Sequence, residues 1–182
     1  MFMSVVFPET RFDGSIMITA SHLPYNRNGL KFFNADGGLE HADITDLLET
    51  AAVLSAGQAD ISKVSKVDLI SLYAQSLCEK IRLGVKADDY DRPLAGLHIV
   101  VDAGNGAGGF FVRQVLEPLG ADTAGSQFLE PDGMFPNHIP NPENKQAMDS
   151  VRAATVEHHA DMGIIFDTDV DRMSAVLHDG SE

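Results

Sequence analysis

Apolar positions change their rhythm near the middle of the chain. In the first half they fall mostly at helical spacing: Ile44, Leu47, Leu48, Ala51 and Ala52 make one face over residues 42–53. Val67, Ile70, Leu72, Tyr73, Leu77, Ile81 and Leu83 make a second over 66–85, with Gly84 near its end. The polar stretch 55–65 between them reads as a loop. A charged run, Ala87 to Arg92, ends in Pro93 and marks a domain boundary. Beyond it, short solid apolar blocks alternate with helical stripes. Leu97 to Val101 predicts a buried strand, Phe110 to Leu119 a helix, Thr123 to Phe128 a weaker strand, and 143–159 a helix. Gly163 to Phe166 and Met173 to Leu177 predict two more strands. Residues 131–142 hold too many prolines for either regular element. The alternation argues for α/β layers with at least some parallel pairing.

Two strand ends carry candidate chemistry. An apolar run, Ile16 to Ile18, stops at Thr19-Ala20-Ser21-His22, and a turn-rich loop leads on to Gly29 and Lys31. A hydroxyl held at a strand end, with an imidazole beside it and an ammonium a short loop away, has the parts of an activated nucleophile. The same residue types also make ordinary turns. The second stretch is Ile164-Ile165-Phe166-Asp167-Thr168-Asp169-Val170-Asp171-Arg172. In an extended segment Asp167, Asp169 and Asp171 project to one side. Three such charges repel unless protons or a cation offset them. A hard divalent ion, Mg2+ above all, is the natural partner of an all-oxygen set.

An EF-hand loop starting at Asp167 needs glycine at its sixth position and glutamate at its twelfth, where this chain has Arg172 and His178. A phosphatase of the haloacid-dehalogenase type also ends a strand in Asp-x-Asp and stays open as an alternative, although Asp171 stands where it uses Thr or Val. Gly104-Asn105-Gly106-Ala107-Gly108-Gly109 fits a dinucleotide fingerprint, a weak signal by itself. His138 sits in a loop of structural character, and His158 and His159 close a helix.

Charge and composition narrow the field further. With 13 Lys and Arg against 27 Asp and Glu, the formal charge is −14, which disfavours nucleic acid and anionic membrane as partners. Any phosphate site must therefore be built locally. The single cysteine, Cys78, excludes an intrachain disulfide and suits a reducing compartment. No apolar run approaches membrane-span length. A soluble, cytoplasmic protein is expected. The apolar start, Met1 to Pro8, reads as the beginning of a piece of a longer protein.

Four motifs in order resemble the α-D-phosphohexomutases, the phosphomannomutase and phosphoglucomutase family. They are the serine loop Thr19-Ala20-Ser21-His22-Leu23-Pro24 with Asn28-Gly29-Leu30-Lys31, the glycine turn after Val101-Asp102, the loop Pro131 to Pro142, and Asp167 to Arg172. Leu23 stands where that family more often has Asn, and Thr168 where it has Gly. The resemblance implies layered α/β/α domains with mixed, largely parallel sheets: a truncated first domain over 1–90 and a second over 91–182. It implies phosphoryl transfer between C1 and C6 of a hexose phosphate through phosphorylated Ser21 and a hexose 1,6-bisphosphate. Ser21, Asp167, Asp169 and Asp171 would hold Mg2+, and His22, Lys31 and Arg172 would serve catalysis. The resemblance also implies two further domains for sugar recognition, which residues 1–182 are not expected to include. Little turnover by the fragment alone is therefore expected, with self-association through the truncated domain; a non-catalytic binding or assembly module is the alternative.

Overall fold

A computed structural model describes residues 1–182, which divide into two compact units: residues 1–19 with 28–69, and residues 20–27 with 70–182. The first unit is thin. A short helix α1 (Met3–Val6) precedes the strands β1 (Ser15–Ile18), β2 (Leu30–Asn34) and β3 (Gly37–Gly38), all antiparallel in the order β1-β2-β3. No helix intervenes between these strands, so the chain returns alongside itself instead of crossing over. Phe2 packs against Phe33 with ring centroids 6.1 Å apart. The helix α2 (His41–Val53) starts where the Glu40 N–H donates to Asp43 Oδ2 at 3.0 Å. None of its residues is buried. On one face of the sheet, the paired residues Ile18 and Leu30 are exposed, as is Ile16 opposite Phe32.

The second unit has the layered plan. Helix α3 (Leu69–Val85), β4 (Ile99–Asp102), α4 (Lys145–Glu157), β5 (Met162–Phe166) and β6 (Met173–Leu177) are its main elements, with sheet order β4-β5-β6. Strand β4 runs parallel to β5 because 103–161 cross over through α4, and β6 returns antiparallel through a short loop. Every residue of β4 is buried. Alternation sends Ile99 and Val101 toward Ala74 and Cys78 of α3 and toward Val112 and Val115, whereas Val100 meets Ala154 behind α4. On β5, Ile164 and Phe166 join the first layer and Ile165 packs with Ala147, Met148 and Val151 of α4.

One close approach fixes the α4 layer. A Cβ on Gly163 would lie 2.0 Å from Thr155 Oγ1 and 2.8 Å from Val176 Cγ2, so only glycine lets the helix settle this near β5. Asn144 begins that helix by accepting from Gln146 N at 2.9 Å and Ala147 N at 3.3 Å.

Three sequence expectations take a different form. Pairing is largely antiparallel: β4–β5 is the one parallel pair of full strands. The weak strand at 123–128 is reduced to two parallel bridges, His98 with Asp122 and Asp102 with Gln127. Between them Gly125 adopts φ +89° and the Ser126 hydroxyl takes the place of a strand carbonyl, accepting from Val101 N at 3.0 Å. The helix expected over 110–119 contains a wide turn, Val112–Leu116, in which Glu117 N reaches back to Val112 O at 3.0 Å.

Candidate functional site

Residues 20–27 leave the β1–β2 hairpin just after Thr19 N donates to Gly29 O at 3.0 Å, and they belong to the second unit. A turn closed by Leu23 N and Ala20 O, 3.1 Å apart, holds Ser21 at φ +53°, a left-handed conformation uncommon for a serine. In that unit Ser21 Oγ donates to Asp167 Oδ2 at 3.5 Å and accepts from Arg172 Nη2 at 3.3 Å. Two loops far apart in sequence thus meet on one carboxylate and one guanidinium.

Asp167 directly follows β5 and is fully buried, and each of its oxygens has a separate task. Oδ1 accepts the backbone N–H groups of Asp171 and Arg172, both at 3.1 Å, while Asp167 N donates to Arg172 O at 3.1 Å. The loop is thereby folded back onto its own first residue. Oδ2 faces outward to Arg172 Nε at 3.2 Å and to Ser21. Burial pushes the Asp167 carboxyl above its ordinary value; the Arg172 amide works against this, and the neighbouring Asp171 and Asp169 add to it. Val170 is held at φ +63°, a strained position for a β-branched residue that lets Asp169 and Asp171 follow Asp167 around the turn.

One ligand atom from each of Asp167, Asp169 and Asp171 lies within 4.8 Å of the others, and the three range from buried to exposed. These are hard oxygen donors with an adjacent hydroxyl, open on one side. The donor set fits a hard divalent cation such as Mg2+, and an excess of carboxylate charge is what such an ion offsets.

Arg172 organises the rest. Its guanidinium can only donate, so the 2.6 Å approach of Nη2 to His22 Nδ1 makes that nitrogen an acceptor and places the ring proton on Nε2. Nη1 also lies 3.9 Å from Glu143 Oε2. Lys31 stands in the first unit, half-buried on β2 opposite Met17.

The glycine turn abuts the acidic loop from behind. A Cβ on Gly106 would meet the Thr168 carbonyl oxygen at 2.8 Å, and Ala107 N donates to that oxygen at 2.9 Å. Sequence reasoning passed over Glu143, which no local pattern marks. It also passed over Asp102, whose signal was available: a carboxylate closing a solid apolar strand.

Family comparison adds the class of fold first. A phosphoglucomutase/phosphomannomutase α/β/α domain I model matches residues 2–55, and the corresponding domain II model matches residues 72–180. The chain belongs to the phosphoglucomutase/phosphomannomutase family. It is 34% identical over 166 residues to a phosphomannomutase/phosphoglucomutase of Pseudomonas putida, covering 91% of this chain and 33% of the relative. A phosphomannomutase of Salmonella typhimurium is 35% identical over 171 residues, 88% of this chain and 35% of its own. A solved structure of a phosphoglucomutase/phosphomannomutase family protein from Burkholderia thailandensis superposes with a TM-score of 0.74 at 29% identity, over 93% of this chain and 34% of that one. The chain spans about a third of the length of the curated relatives it matches. Family membership replaces the haloacid-dehalogenase and dinucleotide readings of the two motifs.

Proposed function

We propose that this chain carries the phosphoryl-accepting serine and the metal loop of a phosphohexomutase that moves phosphate between C1 and C6 of a hexose phosphate. The supporting observation is the meeting of Ser21 Oγ with Asp167 Oδ2 at 3.5 Å and Arg172 Nη2 at 3.3 Å within one compact unit. In this reading the bond from phosphorus to Ser21 Oγ breaks as a sugar hydroxyl oxygen bonds to phosphorus, giving a hexose 1,6-bisphosphate. The sugar's other phosphate then returns to Ser21. The hydroxyl proton must leave during transfer, and His22 and Lys31 are the proposed carriers.

Asp167, Asp169 and Asp171, with Ser21, would hold Mg2+, which when bound supplies charge neutralisation at the transferring oxygens. Arg172 keeps Asp167 Oδ2, Ser21 Oγ and His22 Nδ1 mutually oriented, and its charge favours a phosphate at Ser21. The division inferred from sequence, 1–90 and 91–182, enters the proposal with two adjustments, the first being that residues 20–27 group with the later unit. Helix α3 belongs with the later part, because Ala74 and Cys78 pack on Val101 and Val115.

No helix is long and apolar enough to cross a membrane, and a cytoplasmic sugar-phosphate enzyme is the proposed setting. With a third of the relatives' length, this chain by itself is proposed to turn over little substrate. Exposed Ile16, Ile18 and Leu30 support self-association through the first unit, which a monomer in sedimentation at micromolar concentration would refute. The deciding experiment is intact mass and peptide mapping after exposure to a hexose 1,6-bisphosphate with Mg2+. A phosphate on Ser21 is expected. An adduct on another residue, or none even when the remaining family domains are joined to this chain, overturns the assignment.

A further inference from the structure

The sequence contains two Asn-Gly pairs, Asn28-Gly29 and Asn105-Gly106, and the structure treats them in opposite ways. An asparagine followed by glycine is chemically labile because no Cβ shields the next backbone nitrogen. That nitrogen attacks the side-chain carbonyl carbon, a C–N bond closes a five-membered imide, and the side-chain nitrogen leaves as ammonia. Water then opens the imide at one carbonyl or the other, giving aspartate or isoaspartate. Three things prevent it: a carboxamide held by hydrogen bonds, a backbone N–H already donated, and no room for the ring.

Asn105 has all three protections. Its Nδ2 donates to Glu130 O at 2.9 Å, and its Oδ1 accepts from Asn137 Nδ2 at 2.7 Å. Gly106 N donates to Ala103 O at 2.8 Å, and the space beside Gly106 is filled by the Thr168 backbone. Asn28 lacks the first two, although a Cβ on Gly29 would lie 2.6 Å from the Thr19 carbonyl oxygen. Its side chain is exposed and makes no hydrogen bond, and Gly29 uses its carbonyl toward Thr19 while its N–H donates to nothing. The pair lies in irregular backbone just before β2.

We infer that Asn28 is a site of spontaneous modification in the folded protein: it deamidates through a succinimide with Gly29, whereas Asn105 is preserved. The product adds a negative charge between Arg27 and Lys31 in the segment that follows the serine loop. The inference rests on chemistry and geometry independent of the proposed mutase activity.

The chain is aged in mildly alkaline buffer, folded and in urea, and mapped by peptide mass and by an isoaspartate-specific methyltransferase. In urea both asparagines convert at similar rates. In the folded chain Asn28 is expected to convert about tenfold or more faster than Asn105, a barrier difference of about 1.4 kcal/mol. Asn28 should also keep most of its unfolded rate. Equal rates at the two sites in the folded chain, or protection of Asn28 as strong as that of Asn105, overturns the inference.

Discussion

His138 donates from Nε2 to both carboxylate oxygens of Asp102, each 3.0 Å away, in a pocket where the two side chains are almost wholly buried. Asp102 also accepts from Gly104 N at 2.9 Å, Gln127 Nε2 at 2.8 Å and Ser150 Oγ at 2.8 Å. An ionised carboxylate can only accept, so the histidine nitrogen facing it is the donor. Its other nitrogen, Nδ1, faces Ile139 O at 3.1 Å, and both ring nitrogens thus point at acceptors. The pair joins the end of β4 to the proline-rich loop.

That arrangement makes His138 a pH-dependent lock. Burial alone would lower its pKa, but the hydrogen bond and charge of Asp102, with the Ile139 carbonyl, outweigh it and raise the value above 6.5. Asp102 is the charged group on the ring, and Phe128 meets it edge-on with ring centroids 5.5 Å apart. A group whose folded pKa is raised contributes full stability below the unfolded value and loses it as pH rises through the folded one. Urea midpoints should therefore decline on the alkaline side of 6.5 in the natural chain. His138→Ala, which leaves Asp102 without its counterion, should cost about 3–5 kcal/mol below that range.

Binding of Mg2+ should stabilise the second unit through the acidic loop. At a concentration about a hundredfold over its dissociation constant, the gain is about 2.7 kcal/mol, read as a rise in melting temperature. Because the Asp167 pKa is raised, protons compete for the site, and the Mg2+ effect should weaken as pH falls through that raised value. Asp171→Asn changes the exposed carboxylate of the acidic trio while leaving the Asp171 N–H to Asp167 Oδ1 bond in place. It should abolish most of the Mg2+-induced shift with little change in the metal-free melting temperature.

Ser21→Ala tests the nucleophile with little structural disturbance. The hydroxyl's contacts to Asp167, His22 and Arg172 are long, 3.5, 3.4 and 3.3 Å, so the loss in stability should be about 1 kcal/mol. Phosphate incorporation from a hexose 1,6-bisphosphate should disappear. Retained incorporation at the natural level would move the nucleophile elsewhere.

Gly163→Ala probes the seating of α4 on β5. The added methyl falls 2.0 Å from Thr155 Oγ1, and overpacking there should cost about 1–3 kcal/mol. Thr155→Ala in the same chain removes the nearest obstacle. A denaturation double-mutant cycle should show the second change recovering part of the first, by about 0.5 kcal/mol or more.

Much of this layout was legible in the sequence because its signals are local. Helical spacing located α2 and α3, composition located α4, and apolar blocks located β4, β5 and β6. Alternate aspartates after an apolar strand marked the acidic loop, and the loop residues after Ile18 marked Ser21. What stayed hidden depends on partners distant in the chain. Nothing near residue 123 announces that Gly125 and a serine hydroxyl would interrupt a strand there. The apolar stripe of α2 predicted a helix but could not reveal that none of its residues would be covered. Likewise His138 looked structural, and its charge partner stands 36 positions away.

Strand β5 acts as a ruler for the acidic loop. Its register puts Ile164 opposite Val101 and Ile165 opposite Asp102, so the spacing from those fixed marks determines where Asp167 emerges and which way it turns. Inserting or deleting one residue within β5 would rotate the whole acidic set to the wrong side of the sheet while leaving its composition untouched. Divergence in this chain can exchange one apolar side chain for another at Ile164 or Ile165, yet is barred from altering the strand's length.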